Sequence, residues 1–350
     1  MKKYNVAVIG VGAVGIEMLR ALRQRKFPLG NLSVFARSAR DIEVDGQKYS
    51  VQTISAEGFA GIDIALFAGT EGEKGAAVTY APEAIKRGAI VIDNGADFRL
   101  DPKVPLVVPE VNAQDVKKHK GIIANPNCST IQLVVALWPI YKKAGIKRII
   151  VTTLQAASGA GRGAVEQLWQ ELEEIMAPGS RLQAPGSSQR PVACSMRPEA
   201  RTLPQQLAFN VFPHIGTFGE YDYTNEEWKL VKETHKIMHD NKIKISATTV
   251  RVPVRTGHSE SVYIETNKQI ELDKVRAILS EAPGVIVMDE PKNNLYPMPK
   301  DAEGKDEVFL GRIRRDPFVK KGLWLWVVAD NLRKGAATNA VQIAECVISK

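Results

Sequence analysis

Residues 6–15 read Val6-Ala7-Val8-Ile9-Gly10-Val11-Gly12-Ala13-Val14-Gly15, an apolar run that ends in a G-x-G-x-x-G turn and opens a helical pattern over 13–26. That context gives the pattern its meaning. Glycines permit the tight turn and let backbone N–H groups approach a pyrophosphate at the helix N-terminus. Working outward, apolar strand-like runs follow at 32–36, 63–68 and 89–93, with a helical stretch over 80–87 closed by Gly88 and a further strand at 121–124. Repeated strand-helix-strand implies a parallel sheet with covering helices.

The 121–124 strand leads into Asn125-Pro126-Asn127-Cys128, and a helical pattern over 129–143 ends at Gly145. From 148 onward the character changes to longer β-rich runs at 148–154, 244–254, 261–265 and 323–329, which predict a second, mixed α+β unit. Pro178, Pro185, Pro191, Pro198 and Pro204 mark 177–204 as a long irregular excursion. The final helical stretch, 335–348, is expected to return to the first unit.

Composition narrows the class. The 350 residues are 44% hydrophobic and 25% charged, with 47 Lys+Arg against 39 Asp+Glu for a net charge of +8. That is the make-up of a globular protein with a sizeable core, and it excludes a disordered or disulfide-built chain. Cys128, Cys194 and Cys346 are far apart and odd in number, which points to a reducing, cytoplasmic setting. No apolar run is long enough to span a membrane. The basic clusters at 117–120 and 312–315 carry no interleaved aromatic residues, so a nucleic-acid surface is not expected. A basic excess instead suits anionic substrates and cofactors.

At the end of the second strand an NAD-binding chain would present Asp or Glu to the ribose hydroxyls. Here the sequence is Ala36-Arg37-Ser38-Ala39-Arg40. A guanidinium fork and a hydroxyl favour a 2′-phosphate, so the expected cofactor is NADP, held by Gly10, Gly12, Ala13, Val14, Gly15, Arg37 and Ser38. Cys128, at the start of a helix, feels the positive end of the macrodipole, which predicts a lowered pKa and a nucleophilic thiolate; the alternative is a small buried thiol. Of the five histidines, His258 follows a strand and a glycine turn and is the first candidate for the proton shuttle, with His214 in reserve. His235 and His239 stand at i, i+4 without a third ligand, so no metal site is expected.

Asn125-Pro126-Asn127-Cys128-Ser129-Thr130, Arg251-Val252-Pro253-Val254 and Gly257-His258-Ser259-Glu260 together resemble aspartate-semialdehyde dehydrogenases. The resemblance runs almost end to end, through Val108-Pro109-Glu110-Val111-Asn112, Gln155, Ser158-Gly159-Ala160-Gly161 and Asp330-Asn331-Leu332-Arg333-Lys334-Gly335. It implies NADPH-dependent reduction of L-aspartyl-4-phosphate to the semialdehyde with release of phosphate, a step towards lysine, methionine and threonine. By position, Cys128 would be the nucleophile, His258 the general acid/base and Gln155 the orienting residue. Arg251 would meet the substrate carboxylate and Glu226 its ammonium. Arg99, Asn127 and Lys229 would cradle phosphate, with Ser158, Gly159 and Asn331 beside the cofactor. The implied architecture is a Rossmann-type dinucleotide domain (1–127 plus 332–350) and a mixed α+β catalytic and dimerisation domain (128–331) in a homodimer, a tetramer being the alternative. Two rivals stand beside this reading: a related N-acetylglutamyl-phosphate or malonyl-CoA reductase, and a non-catalytic NADP-binding protein.

Overall fold

The computed structural model describes residues 2–69, 75–177 and 202–349. The opening strand β1 (Tyr4–Ile9) pairs in parallel with β2 (Leu29–Ala36) on one side and β5 (Ile64–Phe67) on the other. Between β1 and β2 runs α1 (Ala13–Gln24). Its first turn sits so close to the strand end that a Cβ on Gly15 would lie 1.9 Å from the Gly10 carbonyl oxygen, and Gly10 itself has φ +95°. Only glycines allow this approach, as the sequence pattern requires.

The sheet continues through β6 (Ile90–Asp93) and β7 (Ile122–Ala124), both parallel. On the other edge it carries an addition that the strand-helix reading omits, the hairpin β3 (Arg40–Val44) and β4 (Gln47–Thr53). The helix between β5 and β6 is α2 (Ala76–Lys86), one turn longer at its start than expected. A short α3 (Pro109–Asn112) precedes β7.

Helix α4 (Cys128–Ala144) then crosses to a second sheet of six strands. In spatial order these are β11 (Val285–Val287), β12 (Val308–Arg315), β13 (Gly322–Ala329), β10 (His258–Thr266), β8 (Ile146–Gln155) and β9 (Lys244–Arg251). This sheet is mixed: β8 and β9 run parallel, β10 antiparallel to its neighbours β8 and β13. Strand β9 stops at Arg251, three residues before the expected end, because Pro253 has no N–H to continue a ladder. Helices α5 (Arg162–Met176), α6 (Asn225–Met238), α7 (Leu272–Ser280) and α8 (Pro299–Ala302) surround it.

Packing fixes where Cys128 stands. Ile131, Leu133, Val134, Leu137 and Ile140 of α4 are all 0% exposed, in one core with Val262, Ile264 and Leu325 of the second sheet. Each such side chain contributes roughly 1.5–3 kcal/mol, so burial outweighs the N-cap, worth about 1 kcal/mol, in holding the helix. The cap supplies geometry: Asn127 Oδ1 accepts the N–H groups of Ser129 and Thr130 at 3.0 and 3.3 Å. The chain ends in α9 (Thr338–Ile348), which buries Val341 and Ala344 in the core of the first sheet, beside Val6, Val8 and Met18. A π-helical turn over Arg333–Ala337 joins it to β13, and its Gly335 passes so near α4 that a Cβ there would lie 2.9 Å from Cys128 Cβ.

Candidate active site

One cleft of about 1230 Å³ extends from the glycine turn, past Arg37 and Ser38, to Cys128. It is lined by Gly10, Gly12, Ala13, Val14, Gly15, Arg37, Ser38, Arg99, Asn127, Cys128, Gln155, Ser158, Gly159, Glu226, Lys229, Arg251 and Asn331. Of the residues to which the resemblance gives a role, His258 alone is not on this wall. It is fully buried one layer back, behind Gly159, where a Cβ would come 2.9 Å from its Cε1 and 3.0 Å from its Nε2.

The Ala156 peptide organises this corner. Its N–H donates to His258 Nδ1 at 3.1 Å and its carbonyl accepts from Arg251 Nη1 at 2.6 Å. Because Nδ1 accepts, the proton of the neutral ring sits on Nε2, which is buried without a partner among the described residues. Burial, reinforced by the Arg251 charge and opposed by Glu226, lowers the His258 pKa to about 3, so the ring is neutral. A neutral ring in this tautomer can donate a hydrogen bond through Nε2. Arg251 Nε is likewise buried and, among the described residues, unpartnered, which leaves fork donors able to meet a carboxylate.

Glu226 is the hub of the opposite wall. Its Oε1 accepts from Asn127 Nδ2 at 2.8 Å and from Gln155 Nε2 at 3.2 Å, and its Oε2 meets Lys229 Nζ at 3.0 Å. Burial works to raise its pKa, but the Lys229 charge and these hydrogen bonds outweigh it and hold the carboxyl at about 2.

The thiol contradicts the expectation of a lowered pKa. Although Cys128 keeps some exposure, burial pushes it up to about 12, and Glu226 adds to the push. Arg99, the Ser129 N–H and Lys229 pull the other way without prevailing. The helix terminus is where the sequence puts it; desolvation and a nearby carboxylate decide the sign.

The reserve histidine, His214, stacks on Phe218 with ring centroids 4.5 Å apart and takes no place on the cleft wall. His235 bonds the Ile243 carbonyl and His239 the Asp115 carboxylate, and among the described residues no group of three His, Cys, Asp or Glu could hold a metal. Cys194 and residues 178–201 of the Pro-rich excursion lie outside the described residues. Cys346 is partly buried against the first core.

Two site residues escape the sequence reading. Arg40 lines the cleft beside Ser38 and donates to its Oγ at 3.2 Å; its place in Arg37–Arg40 was the available signal. Glu233, two turns along α6 from Glu226, contacts both Arg99 and Asn127; only its helical spacing could have pointed to it.

A further buried carboxyl lies on the strand that begins at His258. Glu260 is 0% exposed, and burial pushes its pKa well above the ordinary 4.5 against the pull of Gln132. Above 4.5 the unfolded chain releases this proton while the folded chain keeps it, so folding loses stability as pH rises towards the folded value. Glu260→Gln removes that loss. Its stability relative to wild type should grow with pH above 4.5, by up to about 1.4 kcal/mol per pH unit in urea titrations. A difference independent of pH would show that the carboxyl does not hold its proton.

A glycine turn able to seat a dinucleotide shares one cleft with a thiol, a layout that fits a nicotinamide-dependent oxidoreductase. Family models match in two parts: the semialdehyde dehydrogenase NAD binding domain over residues 5–119 and the semialdehyde dehydrogenase dimerisation domain over residues 137–334. The chain belongs to the aspartate-semialdehyde dehydrogenase family. It is 52% identical to the aspartate-semialdehyde dehydrogenase of Aquifex aeolicus, over 99% of this chain and 98% of that one. With the Bacillus subtilis enzyme of that name it shares 47%, over 97% and 96%. A crystal structure of aspartate semialdehyde dehydrogenase II from Vibrio cholerae complexed with ASA superposes with a TM-score of 0.90 at 40% identity, covering 100% of this chain and 99% of that one. No helix among the described residues is long and apolar enough to cross a membrane.

Proposed function

We propose that this chain catalyses the NADPH-dependent reductive dephosphorylation of L-aspartyl-4-phosphate to L-aspartate-4-semialdehyde, through a thioester on Cys128, in the route to lysine, methionine and threonine. The observation that carries the reading is one cleft whose wall brings Cys128 together with the cations Arg99 and Lys229 and with Glu226 and Arg251, a carboxylate and a guanidinium suited to an α-amino acid. Arg251 binds the α-carboxylate, Glu226 the ammonium, and Arg99, Lys229 and Asn127 the phosphoryl oxygens. A substrate ammonium on Glu226 cancels one of the two influences that raise the thiol, so that burial alone then opposes the pull of Arg99 and Lys229.

Cys128, which keeps some exposure, gives up its proton to solvent, and the thiolate attacks the acyl carbon; the C–S bond forms as the C–O bond to phosphate breaks, and phosphate leaves with the electron pair. Gln155 orients the reacting carbonyl. The bare backbone at Gly12, where a Cβ would meet nothing within 4 Å, and the φ of Gly10 leave room for a dinucleotide, with Arg37, Ser38 and the neighbouring Arg40 for its 2′-phosphate and Ser158, Gly159 and Asn331 nearer the thiol. When bound, the reduced nicotinamide supplies a hydride. His258 donates from Nε2 to the tetrahedral oxyanion held on Cys128. Collapse of that oxyanion breaks the C–S bond and returns aldehyde and thiolate.

The proposed division of labour is residues 1–127 plus 332–350 for the cofactor and 128–331 for catalysis and dimerisation, in a cytoplasmic homodimer. The testing assay is phosphate-dependent reduction of NADP with L-aspartate-4-semialdehyde, with NAD in parallel. Turnover should require phosphate and prefer NADP, and Arg37→Ala should raise the NADP KM about tenfold or more while leaving that for NAD nearly unchanged. No turnover with this aldehyde would overturn the substrate; equal loss with both cofactors would overturn the role of Arg37.

A further inference from the structure

Glu233 has no part in the chemistry above, yet it is 1% exposed and touches the site twice. Its Oε1 lies 3.3 Å from Arg99 Nη1, and its Oε2 accepts the Asn127 N–H at 2.7 Å. These partners come from different parts of the fold. Arg99 follows β6 of the first sheet, whereas Asn127 caps α4 immediately before Cys128. Glu226, Lys229, Glu233 and Lys236 form one stripe of α6, at helical steps of three and four. Lys236 Nζ donates to the carbonyls of Arg99, Asp101 and Val104 at 2.7, 2.7 and 2.8 Å, so the loop that carries Arg99 is held by the same helix. Among the described residues, Glu233 is the one carboxylate that pairs with the Arg99 guanidinium.

We propose that Glu233 is a positioning residue for phosphate: it fixes the Arg99 guanidinium in its anion-binding pose and ties that pose to the cap of the helix bearing Cys128. The inference rests on the proposed reading of Arg99 as a phosphate ligand. A purely structural carboxylate would, on removal, disturb every kinetic parameter through the fold. A positioning one acts first on phosphate.

The test uses Glu233→Gln and Glu233→Asp in the full chain, with two measurements. The first is steady-state KM for phosphate and for aspartate semialdehyde. The second needs no turnover: the concentration of inorganic phosphate that half-protects Cys128 from iodoacetamide. Glu233→Gln should raise both phosphate values about tenfold, with the semialdehyde KM moving less than about twofold. Glu233→Asp, which keeps the charge with a shorter reach, should fall between. Both KM values rising together, or phosphate values unchanged beside a lowered thermal midpoint, would overturn the proposal, as would absence of phosphate protection in the wild type. If the wild type does not use the semialdehyde, the functional reading fails while the protection measurement still decides the role of Glu233. Should the Gln variant not fold, the Asp variant carries the same comparison.

Discussion

Cys128→Ala should reduce phosphate-dependent NADP reduction by about 10⁴-fold or more, since loss of a nucleophile removes the covalent route. The fold should survive it. Cys128 stands at the first position of α4, whose place is set by five fully buried aliphatic side chains further along, and the substitution only removes bulk where Gly335 already presses close. NADP binding, measured by titration, should therefore be little changed and the thermal midpoint should stay near that of wild type. Cys128→Ser adds a sharper test. A hydroxyl at this site is far less acidic than the thiol and faces the same burial and the same Glu226 carboxylate, so it should be nearly as inactive as the Ala variant. Activity of either variant above about 1% of wild type would remove the thioester from the mechanism.

The starting values of these groups explain why substrate matters to the thiol. At rest, burial and Glu226 hold the Cys128 proton on, while Glu226 itself is kept ionised by Lys229, Asn127 and Gln155. In the proposed reading, the carboxylate that meets the ammonium thus also governs the thiol. Iodoacetamide should alkylate Cys128 slowly near neutral pH for that reason.

How much of this was legible depended on whether the cause was local. The glycine turn, with its strand before and helix after, states its own geometry, and Gly15 against the Gly10 carbonyl is the contact it demands. The hairpin β3–β4 was legible too but went unread: Asp45-Gly46 has φ of 49° and 78°, the positive values of a type I′ turn for which Asp-Gly is a strong signal. The β-rich half was visible as runs of apolar residues, but β11 is three residues long and β12 holds Arg312, Arg314 and Arg315, so periodicity alone left both unassigned. The thiol is the opposite case. The sequence places Cys128 at a helix terminus correctly, yet its pKa is set by solvent exclusion and by Glu226, which lies 98 residues on and is brought near through α6 and the Asn127 contact. Glu233 has the same origin. Apart from its helical spacing from Glu226, nothing local distinguishes it from a surface glutamate, and only the docking of α6 on the first sheet's Arg99 loop brings it to Arg99.

Gly159→Ala should cut kcat/KM for the semialdehyde by about 10²- to 10³-fold, although the substitution adds a single methyl group. A Cβ at this position would meet His258 Cε1 at 2.9 Å, His258 Nε2 at 3.0 Å and Arg251 Nη1 at 3.1 Å. Neither neighbour can withdraw cheaply. His258 is 0% exposed and held at Nδ1 by the Ala156 N–H, and Arg251 is 3% exposed and held at Nη1 by the Ala156 carbonyl. Retreat of either would break a bond to the backbone of the same residue, so the strain falls on the turn over Ala157–Ala160. Moving that turn also pulls on the pair between Ser158 and Asn331, which holds the Gly257 N–H just before His258. The cost in stability should be modest, about 1–3 kcal/mol for an overpacked site, whereas the chemistry loses the carboxylate clamp and the oxyanion donor together. Cys128 stands apart from this clash, so its alkylation rate should remain close to that of wild type. Turnover within about fivefold of wild type would mean that His258 and Arg251 yield freely, and that their fixed relation at the Ala156 peptide is not what the reaction uses.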